Sequence, residues 1–194
     1  MRTIALIGLV VGAAVGLSHV GLGAQAPAKP APTKPAAAPA RPAAGARLHG
    51  DLLQVMRGVV YPASNVVFAA QEDPAAIKPA DDPSTSPNPL SSAYGGWTAV
   101  ENAGITLAES ANLLTIPGRT CSNGKPAPMR NADWAPFVQS LRDAGMAVYK
   151  AAQSKNVDNV IEAADQMTLA CSNCHDVYRE KTNAQGGLAA RCTK

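Results

Sequence analysis

The sequence predicts an all-α protein, an antiparallel four-helix bundle, and three observations carry that expectation. Apolar residues recur every three or four positions along four stretches, no run alternates as a half-buried strand does, and only a short connection separates the last two stretches. A length of 194 residues allows one ordinary domain plus extended segments, which excludes a large multidomain enzyme.

In the first stretch, roughly residues 47–70, Leu48, Leu52, Met56, Val59 and Ala63 share one face. Pro62 interrupts it: the ring removes a backbone donor and clashes with the carbonyl of Gly58, so a kink or break is expected near the middle. The second stretch opens after Gly95-Gly96 and runs from residue 97 to about 115, with Val100, Gly104, Leu107, Ala111 and Leu114 on one side and Pro117-Gly118 as its stop. In the third, Asp133 is the expected cap and Trp134, Phe137, Leu141, Gly145, Val148 and Ala152 form the stripe. Asn156 punctuates the next turn. The fourth runs from about 157 to 182, with Val160, Ile161, Ala164, Met167, Cys171, Cys174, His175 and Tyr178 inward, before Gly186-Gly187. At about 1.5 Å per residue such helices are roughly 27 to 36 Å long, enough to sandwich a planar cofactor.

The segments outside these stretches read differently. Arg2, the apolar run from Ile4 to Leu17 and Ala24-Gln25-Ala26 form an expected export signal over residues 1–26. Pro27 would follow the cut, a position that signal peptidases disfavour, so an uncleaved anchor is the alternative reading. Residues 27–44, almost all Ala and Pro, read as an extended tether, leaving 45–194 as the helical domain. A Pro-rich loop near 71–92 is expected to be exposed, either as a tolerated insertion or as a cover for a cofactor edge or partner. The 17 Lys and Arg outnumber 14 Asp and Glu, but Arg2, Lys29, Lys34 and Arg41 all lie before the helical domain. With no basic patch interleaved with aromatics, nucleic acid is not an expected partner.

Cys171-Ser172-Asn173-Cys174-His175 is a C-x-x-C-H run, the attachment signal for haem c. On a helix the two thiols and the imidazole fall within four residues on one face, so thioether bonds would hold the haem edge while His175 reaches iron. A zinc site lacks a second paired motif among His19, His49, Cys121 and Cys192, and a thioredoxin-like pair would need a preceding strand. One covalent haem per chain is therefore expected.

These residues carry a resemblance. With Cys171-Ser172-Asn173-Cys174-His175-Asp176-Val177-Tyr178-Arg179 in the last of four helices, and Asp51-Leu52-Leu53-Gln54-Val55-Met56-Arg57-Gly58 in the first, the chain resembles the cytochrome c prime family, including its low-spin Met-ligated branch, over roughly residues 45 to 183. The resemblance implies a four-helix bundle with haem between helices, often dimeric, acting in periplasmic electron transfer or in binding small gases. The Pro-rich loop and Pro62 depart from the plain family pattern.

Met56 is the first candidate for the sixth iron position, since its thioether would face the haem from the side opposite His175, as the axial Met of the low-spin branch does. The alternatives are Leu52 capping a five-coordinate iron, with Met56 as core filling, and His49 as a second imidazole. Met129, Met146 and Met167 are poorly placed. Arg179, one turn beyond His175, matches a basic position of the family and is expected on the proximal side or toward a propionate; a solvated helix-end Arg is the alternative. Tyr178 is expected at the haem edge, and Arg57 is a further propionate candidate. Cys121 and Cys192 fall at one end of an antiparallel bundle, where a disulfide would close about 70 residues with a stabilisation of about 4 kcal/mol; two free thiols are the alternative.

The functional expectation is an exported, periplasmic electron carrier that meets redox proteins, forms a homodimer or stays monomeric, and has a membrane tether at its N-terminus if the signal stays uncut. Catalysis is not expected, because no distal acid/base pair is visible. A five-coordinate haem protein binding nitric oxide or carbon monoxide is the alternative.

Overall fold

The first helix begins where a side chain and the backbone exchange hydrogen bonds. Asp51 Oδ1 accepts from Gln54 N at 2.8 Å and Gln54 Oε1 accepts from Asp51 N at 2.9 Å, a capping box that satisfies two orphan donors. A third, Leu52 N, donates to Thr120 O at 2.9 Å in the loop after the second long helix. In this computed structural model, residues 47–179 and the backbone of 181–182 and 188–189 are described. The chain divides into two units, Met1–Ala43 and Ala44–Lys194, and all described residues belong to the second. The expected signal (1–26) and tether (27–44) lie outside the described residues.

From the capping box the first helix runs as α1 (Leu52–Val55), a π-helical segment (Met56–Val60) and α2 (Tyr61–Ala69). Pro62 therefore does not break the helix. The turn before it widens instead: Tyr61 N donates to Met56 O, five residues back, which relaxes the crowding that a proline ring imposes on the α turn before it. The extra residue slips the phase of the buried stripe, so Val60, 7% exposed, takes the core position expected for Val59, which is half-buried.

The Pro-rich loop is largely exposed, as expected, and it is also pinned. Asp73 and Asn88 cap short 3-10 turns at Pro74–Ala76 and Pro89–Ser91, Asp82 accepts from Ser84 N and Oγ, and the loop closes on itself through Ala80 N to Ser91 O at 3.0 Å. Pro74 and Leu90 are buried beneath it. Gly96, at φ +58°, then turns the chain into α3 (Trp97–Leu113).

α4 (Trp134–Ser154) packs antiparallel on α3. Arg142 Nη2 donates to Asn112 Oδ1 at 3.0 Å, while midway along the pair a Cβ on Gly104 would stand 2.6 Å from Tyr149 N and 2.9 Å from Gly145 O. Only glycine at this crossing lets the two backbones approach so closely. Lys155, at φ +51°, and Asn156 then reverse the chain; Asn156 Oδ1 accepts from Asp158 N and Asn159 N to cap α5 (Val157–Tyr178). A two-residue link fixes α4 and α5 as antiparallel neighbours.

The result is an all-α bundle in which α3 packs on α2 and α4, α4 on α5, and the first helix meets α5 only sparsely. The expected stripes of α3 and α4 are inside, except that Phe137 is half-buried. Ile161 is not inside: at 38% exposure it lies one position off the stripe formed by Val160, Ala164 and Met167. A two-residue antiparallel pair, Lys181–Thr182 with Leu188–Ala189, follows α5, which ends four residues earlier than its apolar pattern suggested. Among the described residues no helix is long and apolar enough to cross a membrane.

Substituting Gly104 by Ala is expected to lower unfolding stability by about 1 to 3 kcal/mol, because its Cβ meets backbone that cannot rotate away. Chemical denaturation of the two proteins checks it; an unchanged midpoint would mean that α3 and α4 are free to separate.

Candidate functional site

The last two turns of α5 and the π-helical turn of the first helix wall one cavity of about 50 Å³. Cys171, Cys174 and His175 line it from α5 and Met56 and Val60 from the π segment; Trp134, Phe137 and Leu141 of α4 and Leu114 are also in the wall. Helical spacing brings the three α5 side chains together: offsets of three and four residues put them on one stripe. The remaining lining is aliphatic or aromatic, so the cavity is a low-dielectric environment with one imidazole, two thiols and a thioether.

That environment sets the protonation states. Burial pushes the His175 pKa down and the nearby Arg179 guanidinium adds to the shift, with Asp176 opposing it, so the imidazole is neutral near pH 7, the form that ligates metal. Burial likewise raises the Cys171 thiol and, with the Cys171 charge and the Asp133 carboxylate contributing, pushes Cys174 up to about 11. Both remain thiols at neutral pH. A nucleophilic or redox-active cysteine needs the opposite shift, and among the described residues no three His, Cys, Asp or Glu side chains form a metal-binding group.

The expected site residues fall into two sets. Cys171, Cys174, His175 and Met56 share the cavity. Tyr178 and Arg179 do not line it. Tyr178, 7% exposed, stands behind the wall, edge-on to Trp134 with ring centroids 5.2 Å apart and to Phe137 at 6.1 Å. Its hydroxyl donates to Asp133 Oδ1 and accepts from Asn131 Nδ2 at 3.0 Å. Arg179 is exposed at the end of α5, near enough to His175 to depress its pKa. Arg57 is exposed beside Met56, His49 is exposed before α1, and Met167 is wholly buried away from the cavity. Leu52 is core rather than lining. Met129 and Met146 are half-buried and do not line it either.

Three residues were not singled out, or were given another task, by sequence reasoning. Asp133 occupies the position before α4 but its side chain makes no capping bond; the carboxylate instead takes the Tyr178 proton donor and ties the start of α4 to the end of α5. Asn131 completes that contact. Arg119, 5% exposed, donates from Nε to Leu113 O at 2.7 Å and from Nη1 to Gly50 O at 2.6 Å, holding the entry to the first helix against the end of α3. An Arg directly after Pro117-Gly118 carries no pattern that marks it as buried. Cys121, 1% exposed, is disulfide-bonded, and its expected partner Cys192 lies outside the described residues.

Comparison of the chain with protein-family models, with curated proteins and with solved structures gives no match.

Alkylation of Cys171 and Cys174 in the polypeptide alone is expected to be slow at pH 7. The rate should keep climbing with pH, for Cys174 up to about 11, whereas an ordinary thiol levels off above about 8.5. Reaction at pH 7 as fast as that of free cysteine would contradict the buried, protonated assignment.

Proposed function

We propose that this chain is an exported monohaem c-type cytochrome, similar to the low-spin Met-ligated branch of the cytochrome c prime family, that carries single electrons between redox proteins of the periplasm. The observation that carries the reading is the joint lining of one apolar cavity by Met56 from the first helix and by Cys171, Cys174 and His175 from α5.

The donor set fits haem c. Two thiols kept protonated until they form thioether bonds, an imidazole kept neutral, and a thioether supplied by a different helix are the groups that attachment and His/Met ligation require. Bound haem supplies a one-electron iron couple. The cavity of about 50 Å³ has room for a few waters and is smaller than a tetrapyrrole, so loading requires its walls to part. The first helix and α5 pack only sparsely on each other, and they offer that freedom.

Each residue then has a physical task. Cys171 and Cys174 would hold the haem through thioether bonds, and His175 from α5 and Met56 from the first helix would ligate its iron. Arg179 holds positive charge beside His175, and it and the exposed Arg57 are the candidates for propionate contact. Tyr178 acts one layer back, fixing the end of α5 against Trp134, Phe137 and Asp133. Met56 in the wall favours a filled sixth position over an open one that would take nitric oxide or carbon monoxide. No catalytic role is proposed. A homodimer and an N-terminal membrane tether belong to the same proposal.

Absorption spectra of ferric and ferrous holoprotein, with and without carbon monoxide, test the reading beside a Met56→Ala variant. The expected outcome is a low-spin wild type indifferent to carbon monoxide and a high-spin variant that binds it. A wild type that is already high-spin and takes up carbon monoxide would move the reading to gas binding.

A further inference from the structure

The turn that carries Met56 is also where the first helix leaves α geometry, and Pro62 lies just beyond that turn. The π segment spans Met56–Val60, Tyr61 N donates to Met56 O rather than to a carbonyl four back, and Pro62 is the second residue of the α2 helix that follows. We propose that Pro62 is a positioning residue for Met56: by enforcing the wide turn it sets the rotational phase at which the thioether enters the cavity. The inference rests on Met56 being the iron ligand.

Three observations support it. A proline ring at position 62 crowds the carbonyl of Gly58 in α geometry, and a wide turn relieves that crowding. Gly58 is exposed, and a Cβ built there meets nothing within 4 Å, so the widened turn displaces no packed neighbour. At the wide turn Val60 is buried and Val59 is only half-buried, and both Met56 and Val60 stand at the cavity wall.

The consequence follows from helix geometry. Returning the turn to α register removes one residue from it, which rotates everything on its N-terminal side by about 100° relative to Ala63 and Val67. Arg119 and Thr120 hold the helix entry at Gly50 and Leu52 and oppose such a rotation. With Pro62 the two constraints agree, because the extra residue is absorbed between them. Without it the α register and the anchored entry compete, and Met56 is no longer held in one orientation.

The test compares holoprotein wild type, Pro62→Ala, Gly58→Ala and Met56→Ala by ferric and ferrous absorption, carbon monoxide uptake and reduction potential, with circular dichroism for helix content. Pro62→Ala adds a backbone donor and removes a ring at an exposed position, so it is expected to keep its helix content. It is expected to lose most of the methionine-to-iron absorption, to bind carbon monoxide where wild type does not, and to shift in potential toward Met56→Ala. Gly58→Ala retains Pro62 and is expected to match wild type. If Met56→Ala loses ligation while Pro62→Ala keeps the wild-type spectrum and potential, the positioning role is overturned and the ligand assignment stands. A Met56→Ala spectrum identical to wild type overturns both. Failure of Pro62→Ala and also of Pro62→Ser to yield folded holoprotein would overturn it too, since a residue that only positions Met56 tolerates either replacement.

Discussion

Cys171, Cys174 and His175 are fixed to one face of one helix, and the rest of the site depends on what is brought opposite that face. A single helix can supply two anchors and one axial donor, but the same helix cannot reach both sides of a planar group. In the proposed haem site a second iron donor would have to come from another element, and Met56 of the first helix lines the same cavity. The environment between them is apolar, which keeps the thiols protonated and the imidazole neutral.

Rigidity elsewhere makes that juxtaposition reproducible. Gly104 and Gly145 let α3 and α4 approach to backbone contact, forming a tight half of the bundle. From that half, Arg119 and Thr120 reach the entry of the first helix, and the Tyr178–Asp133 contact holds the end of α5. The first helix and α5 are thus each tied to the α3–α4 half while packing little on each other. Such an arrangement allows a space between them to widen without losing its borders.

Much of this was legible in the residues. The stripe Val100, Gly104, Leu107, Ala111 and Leu114 is the buried face of α3, because an uninterrupted amphipathic helix has only one apolar side to hide. The C-x-x-C-H run falls on a stripe whose helical phase places it inward, and Met56, the expected opposite residue, lines the same cavity. What failed were features that depend on contacts distant in sequence. Val59 and Val60 are chemically identical, and only the π turn decides which is buried. Asp133 suits an N-cap by type, yet a phenol 45 residues away takes its carboxylate. Burial of Arg119 requires the carbonyl of Gly50, 69 residues earlier. The exposure of the Pro-rich loop was legible, but its order was not, because capping by Asp73 and Asn88 gives order with few apolar residues.

Covalent attachment is the claim on which the functional account stands, and the mass of the denatured protein, produced together with haem-attachment machinery, tests it most directly. The account predicts a polypeptide heavier by one haem, with Cys171 and Cys174 blocked to alkylation, and loss of the added mass when both are replaced by serine. A polypeptide of unmodified mass with both thiols free to react would contradict it.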